Sequence, residues 1–145
     1  TEMIGMIKEV KISVIGIQNF GYEPEEVITT NTTGKYCYEK KNHRIEYVEI
    51  DEYGNTTKNF VRISEERIQI EKSGSVFGIF RFVPYKKTRA DYKSYFGRII
   101  FEVATDDYHL NVQDDYLRVQ LRYRLFTNKK LFSTNVITIT VRCQK

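Results

Sequence analysis

The stretch IEYVEIDEYGNTTKNFVRI, Ile45 to Ile63, places apolar side chains on both alternating faces around a Gly54-Asn55 turn signal. Successive strand residues point to opposite faces, so a one-residue slip in pairing turns a core face into a solvent face. Two registers compete. A two-residue Gly54-Asn55 loop sets Tyr47 opposite Arg62 and Glu49 opposite Phe60, with Val48 and Val61 on the apolar face. A three-residue loop, Tyr53 to Asn55, sets Ile45 opposite Ile63, Tyr47 opposite Val61 and Glu49 opposite Asn59.

The next segment, RIQIEKSG from Arg67 to Gly74, favours the second. A tight Glu65-Glu66 turn pairs Ile63 with Ile68, Val61 with Ile70 and Asn59 with Lys72. The three-residue loop then gives apolar rows Ile45-Ile63-Ile68 and Tyr47-Val61-Ile70, followed by a polar row Glu49-Asn59-Lys72. The other register sets charged residues opposite Ile63 within an apolar layer, which is costly unless they are paired. The expected hairpin therefore turns Glu49 inward near one mouth, with Tyr47 one row deeper and Val48 and Ile50 outside.

The same alternation runs through the chain. KEVKISVIG places Val10, Ile12 and Val14 on one face, and YLRVQLRYRLF does so with Leu117, Val119, Leu121, Tyr123 and Leu125. No segment holds a 3.6-residue period. Aromatics make up 14% of the 145 residues, 11 Tyr and 9 Phe, a composition suited to pleated, half-buried surfaces. Nine turn signals, at Asn19–Pro24, Lys41-Asn42, Tyr53–Asn55, Ser64–Glu66, Ser73–Ser75, Val83–Tyr85, Ser94–Gly97, Asp114-Asp115 and Thr127–Lys130, imply about ten strands. Connections this short join antiparallel neighbours, and closing the resulting meander removes its exposed edges. The expectation is an all-β fold: one antiparallel up-and-down meander barrel of about eight to ten strands over residues 1–145, with a two-sheet sandwich as the alternative.

Most chemistry-bearing motifs are missing. There is no Gly-rich phosphate loop, no paired metal-ligand spacing and no nucleophile elbow, so the chain is not expected to be an enzyme or to carry a cofactor or metal. His43, beside a turn, is expected to face water, and Cys37 and Cys143 to be free thiols. In the acidic pairs Asp106-Asp107 and Asp114-Asp115, adjacent residues should point to opposite faces, which argues against a cation site. No apolar run reaches membrane-span length and the opening TEMIGMIKEVK lacks secretory-signal character, so a cytoplasmic protein without a membrane partner is expected.

In order and spacing, several segments resemble the YwiB-like family of small bacterial proteins. They are Y-V-E at Tyr47 and Glu49, G-N-T-T-K at Gly54 to Lys58, E-K-S-G ending at Gly74, F-R-F at Phe80 to Phe82, and Y-K-S-Y-F-G from Tyr92 to Gly97. V-A-T at Val103 to Thr105 and L-R-Y-R-L from Leu121 to Leu125 complete the set. That resemblance implies a calycin-like, lipocalin-like barrel with no established activity. This chain has Lys72 where the family tends to have Arg, and Ser94-Tyr95 where it tends to have Thr-Pro.

Two readings of function follow. In the first, a small hydrophobic or amphipathic molecule enters the barrel and is oriented by Tyr47, Glu49, Asn59, Lys72, Tyr92 and Tyr123. In the second, Phe80, Phe82, Phe101, Leu121 and Tyr123 fill the barrel, and a basic outer face binds RNA or a protein. The ladder Arg118, Arg122 and Arg124 and the turn residues Lys86, Lys87 and Arg89 would make that face. A net charge of +4 is too small to favour nucleic acid strongly, and Glu102 and Asp106 can neutralise part of the ladder.

Overall fold

The computed structural model describes residues 7–22 and 24–143. Thr1–Met6, where the opening stretch begins, and Glu23 in the first turn lie outside them. Ten strands follow one another: β1 (Lys8–Asn19), β2 (Glu26–Glu39), β3 (Asn42–Ile50), β4 (Thr56–Ile63), β5 (Ile68–Gly74), β6 (Gly78–Phe82), β7 (Lys87–Ser94), β8 (Gly97–Gln113), β9 (Tyr116–Thr127) and β10 (Lys130–Cys143). All pairings are antiparallel, in the order β6-β5-β4-β3-β2-β1-β10-β9-β8-β7.

This is a nearly closed meander barrel. Its first and last strands pair along their length, from Val10 opposite Cys143 to Asn19 opposite Thr134. The ends of the sheet lie instead at β6 and β7. One bridge joins them, Phe77 and Lys93 exchanging two backbone hydrogen bonds of 2.8 Å, and the Thr88 hydroxyl donates to the Arg81 carbonyl at 2.5 Å.

The β4–β5 register is the expected one, with Ile63 opposite Ile68, Val61 opposite Ile70 and Asn59 opposite Lys72. The β3–β4 register differs from expectation by two residues. His43 faces Ile63, Ile45 faces Val61, Tyr47 faces Asn59 and Glu49 faces Thr57, around a five-residue loop, Asp51 to Asn55. Asp51 causes the difference. Its carboxylate accepts hydrogen bonds from the Tyr53 and Asn55 backbone N–H groups at 2.9 and 2.8 Å, an Asx-type turn that takes Asp51 and Glu52 out of the ladder. The Asn55 N–H foremost, with that of Tyr53, holds this carboxyl below the usual carboxylate range. Because the shift is even, the faces survive: Tyr47 is buried, while Val48 and Ile50 are exposed.

The core is the inward face of nearly every strand. Ile12, Ile45, Ile63, Ile68, Leu121 and Ile139 are fully buried. A chain of rings runs through it, with Phe82 4.7 Å from Tyr123 and 6.3 Å from Phe80, and Phe80 6.0 Å from Tyr92. Tyr92, Phe101, Phe132 and Phe20 continue it.

Two irregularities shape the wall. A bulge between Thr105 and Asp107 turns both Asp106 and Asp107 toward the outside, contrary to strict alternation; Asp106 pairs with Arg124 and Asp107 with His109. The β2–β3 ladder covers only Lys35–Glu39 against Asn42–Glu46, so Glu26–Gly34 and Tyr47–Ile50 part company toward one mouth.

Candidate functional site

In an antiparallel meander, the turns that follow odd-numbered strands gather at one mouth and those that follow even-numbered strands at the other. The odd-turn mouth holds most of the predicted ligand residues. Glu49, on β3, projects inward just above Tyr47. Lys72 crosses from β5 so that its Nζ donates to Glu49 Oε1 at 2.7 Å and to Asn59 Oδ1 at 2.9 Å. Asn59 Nδ2 donates to the same Glu49 oxygen at 2.5 Å. Asn59 is wholly buried, whereas the Glu49 and Lys72 side chains keep 36% and 25% of their exposure. The amide therefore serves both ends of an ion pair that faces partly into water, satisfying groups that would be costly to leave bare.

The two-residue register shift alters the expected stack. Tyr47, expected one row deeper, is level with Asn59 and Lys72, and Glu49 sits one row nearer the mouth. Burial, reinforced by the Glu49 charge, pushes both the Tyr47 and Tyr92 hydroxyls above the ordinary tyrosine range, so both remain protonated donors at neutral pH. Gly78 lies close under this cluster: a Cβ there would meet the Phe80 ring tightly, at 3.2 Å, and reach ordinary contact with Tyr92 at 3.5 Å. Tyr123 does not join this cluster. It is buried deeper, against Phe82 and in a row with Thr105 and Asn135, and burial raises its pKa also.

The residues of the basic outer face are dispersed. Arg118 and Arg122 are exposed, whereas Arg124 is forked onto Asp106 at 2.8 and 2.9 Å. Lys87 lies 3.4 Å from Glu102, and Lys86 stands at the β6–β7 turn. Arg89 belongs to a different surface, a groove of about 610 Å³ over the β6–β7 seam shared with Arg81, Lys93 and Phe77.

The even-turn mouth contains residues that the sequence reading missed. His43 does not face water. It points inward and is 9% exposed, its Nδ1 2.7 Å from the Tyr36 hydroxyl and its ring 4.7 Å from that of Tyr38. Tyr108 reaches across to donate to the Ser64 carbonyl at 2.5 Å, and an open cleft of about 1320 Å³ lies over these groups. The alternation of β3 carried the signal for His43, because His43, Ile45 and Tyr47 share one face. No local signal marks Tyr108, whose partner is 44 residues away.

Burial holds the His43 imidazole below its ordinary pKa. The unfolded chain, near pKa 6.5, thus takes up a proton before the folded one, and stability is full above about pH 6.5 and declines below it. Thermal unfolding followed from neutral pH down to about pH 5 should show that decline, and His43→Gln should flatten it. An unchanged slope in the variant would assign the effect to other groups.

A family model described as a domain of unknown function, DUF1934, matches residues 12–139. The chain belongs to this family. The uncharacterized beta-barrel protein YwiB of Bacillus subtilis (strain 168) is 28% identical over 116 residues, covering 80% of this chain and 81% of that protein. The crystal structure of the ywiB protein from Bacillus subtilis superposes with a TM-score of 0.85 at 23% identity, over 98% of this chain and 96% of that one. The DUF1934 family is thus one of β-barrels of unknown function, and the ten-strand architecture described above agrees with it.

Proposed function

We propose that the protein is a non-enzymatic binding module which takes a small amphipathic molecule at its odd-turn mouth. The observation that carries this reading is the Glu49–Asn59–Lys72 network: an ion pair held over a fully buried amide, half open to solvent, beside the protonated hydroxyls of Tyr47 and Tyr92. The parting of β2 from β3 at the same mouth gives a flexible-headed ligand an approach. Phe82, Tyr123 and Leu121 occupy the centre of the barrel, so the ligand's polar head engages the network while its apolar part lies along the rim.

A dansylated fatty acid tests the proposal. Saturable fluorescence enhancement is expected with the native chain and a clear loss with Lys72→Met. Glu49→Gln keeps an acceptor for Asn59 and Lys72, so it should lower stability by only about 1 kcal/mol, and by removing the carboxylate that competes for Lys72 it should tighten the anionic probe. If Glu49→Gln and Lys72→Met alter stability alone, with probe binding absent or unchanged, the network is structural and the proposal fails.

A further inference from the structure

The two ends of the barrel differ in the side chains their turns expose. At the even-turn mouth the tips carry Lys40-Lys41, Glu65-Glu66 and Asp114-Asp115, together with Tyr85. At the odd-turn mouth four of the five turns present a large exposed ring, Tyr22, Tyr53, Phe77, and Tyr95 with Phe96, and exposed Leu131 follows the fifth at the start of β10. Tyr95 and Phe96 are each 93% exposed, the most extreme of these. Their rings meet edge-on at 5.6 Å at the tip of the β7–β8 hairpin, where the Phe96 N–H is held by the Ser94 hydroxyl and Gly97 has φ 124°.

On its β9 side this hairpin stands clear of the wall, while on the other Lys93 is bridged to Phe77. The last pair between β8 and β9 is Glu102 with Phe126, so Gly97–Phe101 run on with β7 alone on the ladder, about 17 Å of strand. Beside it, Lys93, Lys129 and Lys130 make no ion pair among the described residues. Across the same rim the β3–β4 tip carries Asp51 and Glu52, while Glu25 of the β1–β2 turn lies on the near side, beside Asp106, Arg122 and Arg124.

We propose that the β7–β10 side of this rim docks on the surface of an anionic lipid bilayer, with Tyr95 and Phe96 as the inserted wedge. Three features favour a lipid interface over a folded partner. The apolar side chains sit on separate tips, which a fluid surface can surround one by one, whereas a protein partner or a second copy requires a continuous patch. Tyrosine, amphipathic at its ring end, is suited to the headgroup level. The lysines flank the wedge while the acidic β3–β4 tip, Asp51 and Glu52, lies across the mouth, so an anionic surface draws the barrel down on one side, tilted. The absence of a long apolar run bears on spanning a bilayer and leaves surface docking open. The inference rests on the rim alone and stands whether or not the mouth holds a ligand.

Flotation with phosphatidylcholine vesicles, with and without about one-third phosphatidylserine, decides it. The native chain should float with the anionic vesicles at least tenfold more than with the neutral ones, and raised salt should reduce that retention. Tyr95→Ser combined with Phe96→Ser should abolish retention while thermal unfolding stays unchanged, since both side chains are exposed; Lys129→Ser with Lys130→Ser should narrow the anionic preference. Equal retention on both vesicle types, retention on neither, or an unchanged tip variant overturns the proposal. So does a native dimer that the tip variant converts to monomer without any vesicle binding. Probe binding in solution that survives the tip variant separates a failure here from a failure of the ligand reading.

Discussion

Phe82→Ala is expected to destabilise the fold by about 3–5 kcal/mol, the range for removing a fully buried phenylalanine and leaving its space unfilled. Phe82 is 2% exposed and lies on β6, a strand of five residues. On one side β6 has the full β5 ladder, with Phe82 opposite Ile68. On the other it has a single bridge to β7. The ring spans the interior to touch Tyr123 of β9 at 4.7 Å, so it ties the weakly laddered end of the sheet to the strongly laddered part. Against a typical total of about 5–15 kcal/mol, this loss is large enough to read directly in a urea titration. Phe80→Ala, on the same strand but only half-buried, should lose less. A Phe82→Ala loss under about 1 kcal/mol would mean that the seam is held by something other than this ring.

Gly34→Ala should be the next most damaging change, and for a different reason. A Cβ at Gly34 would lie 2.3 Å from the Glu46 carbonyl oxygen, 2.6 Å from the Ile12 side chain and 3.1 Å from the Tyr47 Cβ. The nearest of these is backbone and cannot swing away. Overpacking of this kind costs about 1–3 kcal/mol, and the upper end is expected because β2 crosses β3 just where their ladder stops. Gly16→Ala is the matched control: it also lies in a strand, yet its nearest neighbour is 4.0 Å away, so stability should hold. Denaturant midpoints of the two variants, compared with the native chain, check the pair. Equal midpoints would show that β2 can slide off Glu46 without loss. If Gly34→Ala also weakens the dansyl probe, the damage has reached Tyr47 and the Glu49 network.

These two positions show what the sequence could and could not say. Alternation placed Phe82 and Tyr47 inside because it is a local property, recorded two residues at a time. It also gave the β4–β5 pairing, since Ile63, Val61 and Asn59 align with Ile68, Ile70 and Lys72 across a short turn. The β3–β4 register departs from alternation by two because Asp51, strand-like by its spacing, organises the loop through its carboxylate; an Asp three residues before a Gly is the local clue. The Glu49–Asn59–Lys72 grouping was legible despite that slip, since long side chains bridge one row. Gly34 carried no such clue. Its constraint comes from Glu46 and Ile12, and nothing near Gly34 in sequence indicates that a neighbouring strand presses on it. The placement of the open seam was equally unmarked, because only the pairing of β1 with β10 leaves β6 and β7 as the ends.

That pairing has a kinetic side. Every other ladder in the sheet joins strands consecutive in the chain and can form as a hairpin on its own. The β1–β10 ladder joins residues as distant as Val10 and Cys143, so it pays loop-closure entropy that no hairpin meets, and it raises the contact order of an otherwise local topology. Until it forms, the inward face of β1, with Val10 and Ile12, is covered from one side only. Topology alone therefore makes the meeting of these two strands, rather than the making of any turn, the expected slow event in folding.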